Sequence, residues 1–121
     1  MTLPLVQSPP KHSMLILFDN GTPAPLRFAL QGHIVVEAME RGWDRLANRE
    51  LIAAAKAAGF EPLLTTDKNI RYQQNLAGRK IAFVVLGNQQ WPILRRYVER
   101  VLTAVNAAKP GSYSEVQIPY E

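Results

Sequence analysis

Two aspartates in this chain come directly after apolar segments of strand length. Asp19 follows residues 14–18, and Asp67 follows residues 62–65 and the hydroxyl of Thr66. Continuous apolar runs of this length are typical of strands buried on both faces of a parallel sheet. Because the carboxyl ends of parallel strands line one edge, we expect both carboxylates to face the same crevice. Mg²⁺ and Mn²⁺ prefer oxygen ligands and often use one or two carboxylates, so the pair predicts a divalent-metal site.

Strand and helix patterns alternate along the chain and would position these residues. Apolar side chains at spacings of three and four indicate an amphipathic helix near the C-terminus. Asn48 is a favourable helix N-cap, and Glu50 in the first turn suits the positive end of the helix dipole. Strands are predicted at residues 14–18, 33–36, 62–65 and 81–86, and helices at residues 23–31, 48–58 and 90–108. This alternation predicts an α/β fold with a mainly parallel sheet.

One domain accounts for these elements. Residues 1–13 include a Ser-Pro-Pro sequence and predict an irregular N-terminal arm that lacks the features of a signal peptide. Residues 14–109 form the predicted domain, and residues 110–121 are a C-terminal tail or an edge strand. No apolar run approaches the ~18 residues expected of a membrane-spanning helix, so we expect no membrane association.

The composition limits the chemistry. The 121 residues carry a formal net charge of +4, which suits a polyanionic partner such as nucleic acid. The absence of cysteine excludes disulfides, zinc–thiolate sites and cysteine nucleophiles, and it is compatible with a cytoplasmic protein. There is no glycine-rich phosphate loop, serine elbow or HExxH pattern. His12 and His33 have no partner at metal-ligand spacing, which leaves the carboxylates as the candidate ligands.

The order of three motifs in this chain resembles the PIN-domain nuclease superfamily. The motifs are residues 17–23 (LFDNGTP), residues 48–55 (NRELIAAA) and residues 64–69 (LTTDKN). The resemblance covers about residues 14–90 and is closer to the short PIN-like branch often found in toxin–antitoxin-type operons. It implies a three-layer α/β/α domain with a mainly parallel, four- to five-stranded sheet.

In that superfamily, several carboxylates hold Mg²⁺ or Mn²⁺ ions that activate water to cut RNA. Since a metal lowers the pKa of its bound water and neutralises charge on the phosphate, such a site needs no side-chain nucleophile. The resemblance implies that the catalytic, metal-binding residues are Asp19, Glu50 and Asp67, with Asn48 and Asp44 as further ligands. It also implies that Thr66 orients a carboxylate and that the substrate contacts Thr66, Lys68, Asn69 and Arg71.

Asparagine occupies positions at which the short branch usually carries acidic residues. Asn20, Asn48 and Asn69 are the three positions, and an amide oxygen can coordinate a cation but adds no negative charge. The alternative interpretation is therefore a catalytically degenerate PIN-like domain that acts as an RNA- or protein-binding module. Residues 69–75 are rich in amides beside Tyr72 and are a candidate for binding single-stranded bases. The candidate partners are single-stranded or structured RNA, an antitoxin protein and a second copy of the chain.

Overall fold

The computed structural model describes residues 13–78 and 80–120. In this part of the chain five strands form one sheet in which all paired strands are parallel. The strands are β1 (Leu15–Phe18), β2 (Ile34–Glu37), β3 (Pro62–Thr65), β4 (Ala82–Leu86) and β5 (Tyr113–Val116), in the order β2-β1-β3-β4-β5. The central strands β3 and β4 are fully buried and apolar apart from Thr65 at the end of β3, as their sequences predict.

Helical segments cover both faces of the sheet and complete a three-layer α/β/α fold, which confirms the predicted fold class. The α-helices of the described chain are α1 (Asn48–Ala57), α2 (Gln74–Ala77), α3 (Trp91–Leu94) and α4 (Val98–Ala107). Four 3₁₀ segments join them: Ala24–Ala29, Ala38–Arg41, Lys68–Gln73 and Arg95–Tyr97. No helix within residues 13–78 or 80–120 is long and apolar enough to span a membrane.

The helix predicted at residues 23–31 is a short 3₁₀ segment, and the helix predicted at residues 90–108 is interrupted. The first lies between Pro23 and the turn at Gly32 and is only six residues long, and 3₁₀ geometry is used in such short pieces. In the second, Tyr97 has φ −126° and ψ 21°, so the chain leaves helical geometry there before α4 begins. The apolar stripe still faces the sheet, because Leu94, Val101 and Val105 are all buried.

Alternate strand residues divide the core between the two faces. One face of the sheet carries Ile16, Phe18 and Val84, which pack under the Ala24–Ala29 segment, α3 and α4. The opposite face carries Leu17, Leu63 and Phe83, which pack under α1, the Lys68–Gln73 segment and α2. Burial on both faces explains why the strand sequences have no polar alternation.

The connection from β4 to β5 crosses the sheet on the opposite face from the two connections before it. The chain moves in one direction from β2 to β3 and on to β4, over the face that α1 covers. It continues in that direction to β5, but α4 lies on the other face. This last crossover therefore has the opposite hand, although about 98% of such connections share one hand. It places α4 beside the Ala24–Ala29 segment, where the two together cover one face.

Residues 110–121 supply the edge strand that was one of the two predicted alternatives. β5 pairs with β4 in parallel, with Phe83 opposite Tyr113 and Leu86 opposite Val116. Val116 and Ile118 are both buried in the core. The packed unit therefore continues beyond residue 109.

Candidate functional site

The carboxyl ends of β1 and β3 lie side by side, and Thr65 joins the two aspartates that follow them. Thr65 is fully buried at the end of β3. Its Oγ1 donates to Oδ2 of Asp19 at 2.8 Å and accepts from the backbone N–H of Asp67 at 3.0 Å. Strand order reverses at β1 and β3, because the chain leaves β1 toward one edge of the sheet and β3 toward the other. Ligands of doubly wound sheets bind at such a crevice.

The carboxylate of Asp67 is held by two donors. Oδ1 accepts from the backbone N–H of Asn69 at 2.9 Å, which caps the Lys68–Gln73 segment. Oδ2 accepts from Nδ2 of Asn48 at 2.9 Å. Asn48 is the first residue of α1, whereas the sequence predicts it as the N-cap; Ala47 holds the cap position. The side chain of Asn48 therefore donates to Asp67 at the site instead of capping the N-terminus of α1.

Asp19 opens a tight turn that fixes its carboxylate. Its Oδ1 accepts from the backbone N–H of Asn20 at 2.7 Å, and its carbonyl accepts from the N–H of Thr22 at 2.9 Å. Oγ1 of Thr22 donates to the carbonyl of Leu64 at 2.9 Å, which ties the turn to β3. A Cβ at Gly21 would overlap Oγ1 of Thr66, so glycine permits the close approach of this turn to Thr66.

Glu50 and Asp44 do not join this pair through their carboxylates. Residues two apart on a helix do not share a face, and Asn48 is the one that faces Asp67. Oε1 of Glu50 instead accepts from the N–H of Ala47 at 3.3 Å, at the start of α1. The side chain of Asp44 is exposed, and its backbone carbonyl accepts from Nδ2 of Asn20. In the described ranges, no three His, Asp or Glu side chains are grouped so that they could hold a metal ion.

The oxygen atoms that the site offers suit a metal ion held by two carboxylates. Every carboxylate oxygen of Asp19 and Asp67 accepts a protein hydrogen bond. A carboxylate has about four lone-pair sites, so each retains the capacity to bind a cation. Mg²⁺ usually keeps several waters and binds through one or two carboxylates plus substrate phosphates. Asp19 and Asp67 therefore supply the one or two protein carboxylates that Mg²⁺ commonly uses.

An open cleft of about 420 Å³ adjoins Asp67. We call it the Tyr120 cleft; it is lined by residues 66–68, residues 86–90 and Tyr120. Nζ of Lys68 lies 5.6 Å from the centroid of the Tyr120 ring, and Oγ1 of Thr66 lies 3.4 Å from Oε1 of Gln89. The volume is within the range of small-ligand sites.

No family model, curated protein or solved structure matches this chain. The resemblance to the PIN superfamily therefore rests on the three sequence motifs.

The predicted substrate-binding residues occupy two different places. Thr66 and Lys68 line the Tyr120 cleft, whereas Asn69 is exposed and uses its backbone N–H on Asp67. Arg71 is exposed and does not line this cleft, and its Nη2 donates to Oη of Tyr72 at 2.7 Å. That hydrogen bond is the main reason that the pKa of the Arg71 guanidinium is raised above its ordinary value.

Sequence reasoning chose the wrong threonine at the site and missed one residue of the adjoining cleft. It considered the hydroxyls of both Thr65 and Thr66 as partners of a carboxylate and assigned the orienting role to Thr66, but Thr65 has this role. The reason is register: Phe18 pairs with Leu64, which brings the next residues of the two strands, Asp19 and Thr65, together. It also missed Tyr120, since the penultimate residue of a predicted tail gives no signal of lining a cleft beside β3.

Proposed function

We propose that this chain is a PIN-like ribonuclease that uses a divalent metal ion to hydrolyse RNA phosphodiester bonds. The observation that carries the proposal is the joining of Asp19 and Asp67 by Thr65 at the crevice between β1 and β3. Both carboxylates are held by neighbouring donors. Asp19 and Asp67 are the metal ligands in this proposal, and Glu50 is not one.

The chemistry divides between the ion and the residues around it. A bound Mg²⁺ or Mn²⁺ would supply an activated water and neutralise charge on the phosphate. Thr65 and Asn48 keep the two carboxylates in fixed orientations, because each donates to one of their oxygens. The ammonium of Lys68, at the mouth of the adjoining cleft, binds a phosphate of the substrate as a point charge.

The proposal includes a biological setting. We place the activity in the cytoplasm, as the toxin of a toxin–antitoxin pair with RNA as the substrate. A small antitoxin protein encoded beside it, or a second copy of this chain, would need an apolar contact surface. Large exposed apolar side chains on and near edge strand β2 offer such contacts: Phe28, Ile34 and Met39. A gene with no small neighbour would count against the toxin role.

The first prediction concerns metal binding and cleavage together. We expect wild type to bind Mn²⁺ in a calorimetric titration and to cleave a mixed RNA pool. The Asp19→Asn/Asp67→Asn protein should lose both, because its neutral amides cannot offset the charge of the ion. Glu50→Gln is the matched control that removes one nearby acid, and it should retain both activities because Glu50 caps α1. Loss of Mn²⁺ binding in Glu50→Gln would instead support a metal site with three carboxylates. A wild type that binds no Mn²⁺ would refute the proposal.

A second candidate function has its own supporting observation. The donor that faces Asp67 from α1 is the amide of Asn48, not a carboxylate, so the negative charge of the site is low. This arrangement suits a PIN-like module that binds RNA or protein without cleaving. It predicts that wild type and Asp67→Ala bind RNA equally well and that neither cleaves it.

A further inference from the structure

The Tyr120 cleft has the character of a nucleobase site. Its one aromatic wall, Tyr120, is 72% exposed, so the face of the ring is open to a ligand. Stacking on such a ring is tolerant of sequence, because every base has a π face. The ammonium of Lys68 lies over the ring, 5.6 Å from its centroid, which leaves the opposite face for a base and places a phosphate-binding charge at the same site.

The floor of the cleft supplies neutral hydrogen-bonding groups. Asn88 is 3% exposed and fixed, because its Oδ1 accepts from the N–H of Gln90 at 2.8 Å and its Nδ2 donates to the carbonyl of Pro119 at 3.3 Å. The side chains of Gln89 and Gln90 are exposed. Amides offer both donors and acceptors, as the edges of bases do. A polyphosphate would find one cation here, Lys68, next to the carboxylate of Asp67.

The position of Tyr120 is set by the end of the sheet. The N–H of Gly87 donates to the carbonyl of Val116 at 3.0 Å, and Nη1 of Arg100 donates to the carbonyl of Gln117 at 2.8 Å. Together with the contact between Asn88 and Pro119, these bonds hold the C-terminal segment across the end of β4. Tyr120 therefore stands at the cleft as part of a bonded segment.

We propose that the Tyr120 cleft binds one unpaired base of single-stranded RNA, stacked on Tyr120 and contacted at its edge by Gln89 and Gln90. Lys68 contacts the phosphate of that nucleotide, on the side of the cleft where Asp67 lies. The inference rests on the proposed function, since it assigns the cleft as the substrate arm of the same site. It adds the selection of single strands, because a base within a duplex has no free face to stack.

The test measures RNA binding without metal, so that it does not depend on cleavage. A short, fluorescein-labelled single-stranded RNA of mixed sequence is titrated with the full chain in EDTA and followed by fluorescence anisotropy. Stacking contributes ~1–3 kcal/mol per base, so Tyr120→Ala should weaken binding roughly 5- to 140-fold. Tyr120→Phe keeps the ring and should bind as wild type does. The same strand annealed to its complement should bind more weakly than the single strand.

Tyr72 belongs to the other candidate for binding single-stranded bases, residues 69–75; it is 70% exposed, lies beside a cationic side chain and does not line the cleft. If the base binds in the Tyr120 cleft, Tyr72→Ala should bind the RNA as tightly as wild type, and a loss in Tyr72→Ala alone would assign the base to residues 69–75 and overturn the proposal. Equal affinity of Tyr120→Ala and wild type would overturn the proposal, and so would a preference for the duplex or a loss that Tyr120→Phe shares. A full chain that binds no RNA at all in this titration would also overturn it.

The same measurements separate this inference from the proposed hydrolysis. Binding that depends on Tyr120 without any metal-dependent cleavage would support the base cleft and reject the nuclease. Cleavage that depends on Asp19 and Asp67, with a KM unchanged in Tyr120→Ala, would support the nuclease and reject the base cleft.

Discussion

At the scale of single residues, Thr65 is the residue that connects the two aspartates of the site. Its hydroxyl donates to the carboxylate of Asp19 and accepts from the backbone of Asp67, and Thr65 itself is fully buried. A hydroxyl is the smallest side-chain group that can both donate and accept. The contact therefore sets the relation between the two aspartates whether or not a metal binds.

Replacement of Thr65 by valine keeps the shape of the side chain and removes both hydrogen bonds. We expect the free energy of unfolding to fall by about 1–3 kcal/mol, since the partly buried N–H of Asp67 and the carboxylate of Asp19 each lose a partner. Thr22→Val is the matched control, because its hydroxyl donates only to the carbonyl of Leu64, which still accepts from the N–H of Asp19. Its cost should be at the lower end, ~0.5–1 kcal/mol. Urea denaturation measures both, and equal losses would show that the hydrogen bond from the N–H of Asp67 to Thr65 adds nothing to stability.

At the scale of elements, the sequence predicts the strands well and the helices less well. β3 has the predicted bounds, and β1 and β4 each begin one residue later than predicted. Continuous apolar runs mark buried parallel strands, so these elements need little tertiary information. The same reasoning placed Asp19 and Asp67 at one edge of the sheet, and the structure has them there. The α-helix predicted at residues 23–31 was wrong, because apolar spacing does not distinguish a short 3₁₀ turn from an α-helix.

The rest of the site depends on contacts that are distant in sequence. Glu50 and Asn48 were both predicted as ligands, but helix geometry allows only one of them to face Asp67. Which one faces it is decided by the packing of α1 on the sheet. The hand of the last crossover decides which face α4 covers, and the usual hand would have placed α4 on the other face. Pairing of β5 with β4, and the hydrogen bond from Arg100 of α4 to the carbonyl of Gln117, then hold the segment that carries Tyr120.

Gly87 is the element-scale position that controls the C-terminal segment. A Cβ there would lie 3.0 Å from the backbone N of Ile118 and 3.0 Å from the backbone O of Val116. Both atoms belong to backbone that cannot rotate away, so we expect Gly87→Ala to cost about 1–3 kcal/mol of stability. The amide NMR signals of Gln117, Ile118 and Tyr120 should shift as that segment moves off β4.

Gly42→Ala is the control that separates the steric effect of an added Cβ at Gly87 from the general effect of replacing a glycine. Gly42 has φ +74° and no atom within 4 Å of a Cβ, so its substitution strains only the local backbone. It should lower stability without moving the signals of residues 117–120. Unchanged signals in Gly87→Ala would show that the C-terminal segment is not held by this contact.

At the scale of the whole molecule, polar side-chain contacts lie along both edge strands of the sheet, β2 and β5. Along β2, Nη2 of Arg27 donates to the carbonyl of Val35 at 3.0 Å and to Glu40 at 3.1 Å. Along β5, Oη of Tyr113 donates to Oε2 of Glu115 at 2.8 Å. Charged side chains on edge strands discourage pairing with other sheets. β5 differs from β2 in also carrying a tyrosine, Tyr113, whose ring packs edge-on against buried Phe83.

Tyr113 therefore links the stability of the fold to alkaline pH. Burial raises the pKa of Tyr113 to about 12, and its hydrogen bond to Glu115 and the negative charge there add to the effect. An unfolded tyrosine ionises near pH 10, so the native state holds this proton more tightly than the unfolded state does. The contribution is fully present below pH ~10 and is lost as the pH rises toward about 12.

We expect the unfolding midpoint of wild type in urea to fall faster between pH ~10 and ~12 than that of Tyr113→Phe, which has no phenol to ionise. Lysines and the other tyrosines titrate in both proteins, so the difference between the two curves isolates Tyr113. An absorbance titration of tyrosinate should show one late-ionising phenol in wild type that is missing in Tyr113→Phe. Tyr72→Phe is the control, since Tyr72 is exposed and its loss should leave the late step in place. Parallel stability curves for wild type and Tyr113→Phe would mean that the phenol ionises equally easily in the folded chain, and that β5 does not bury it.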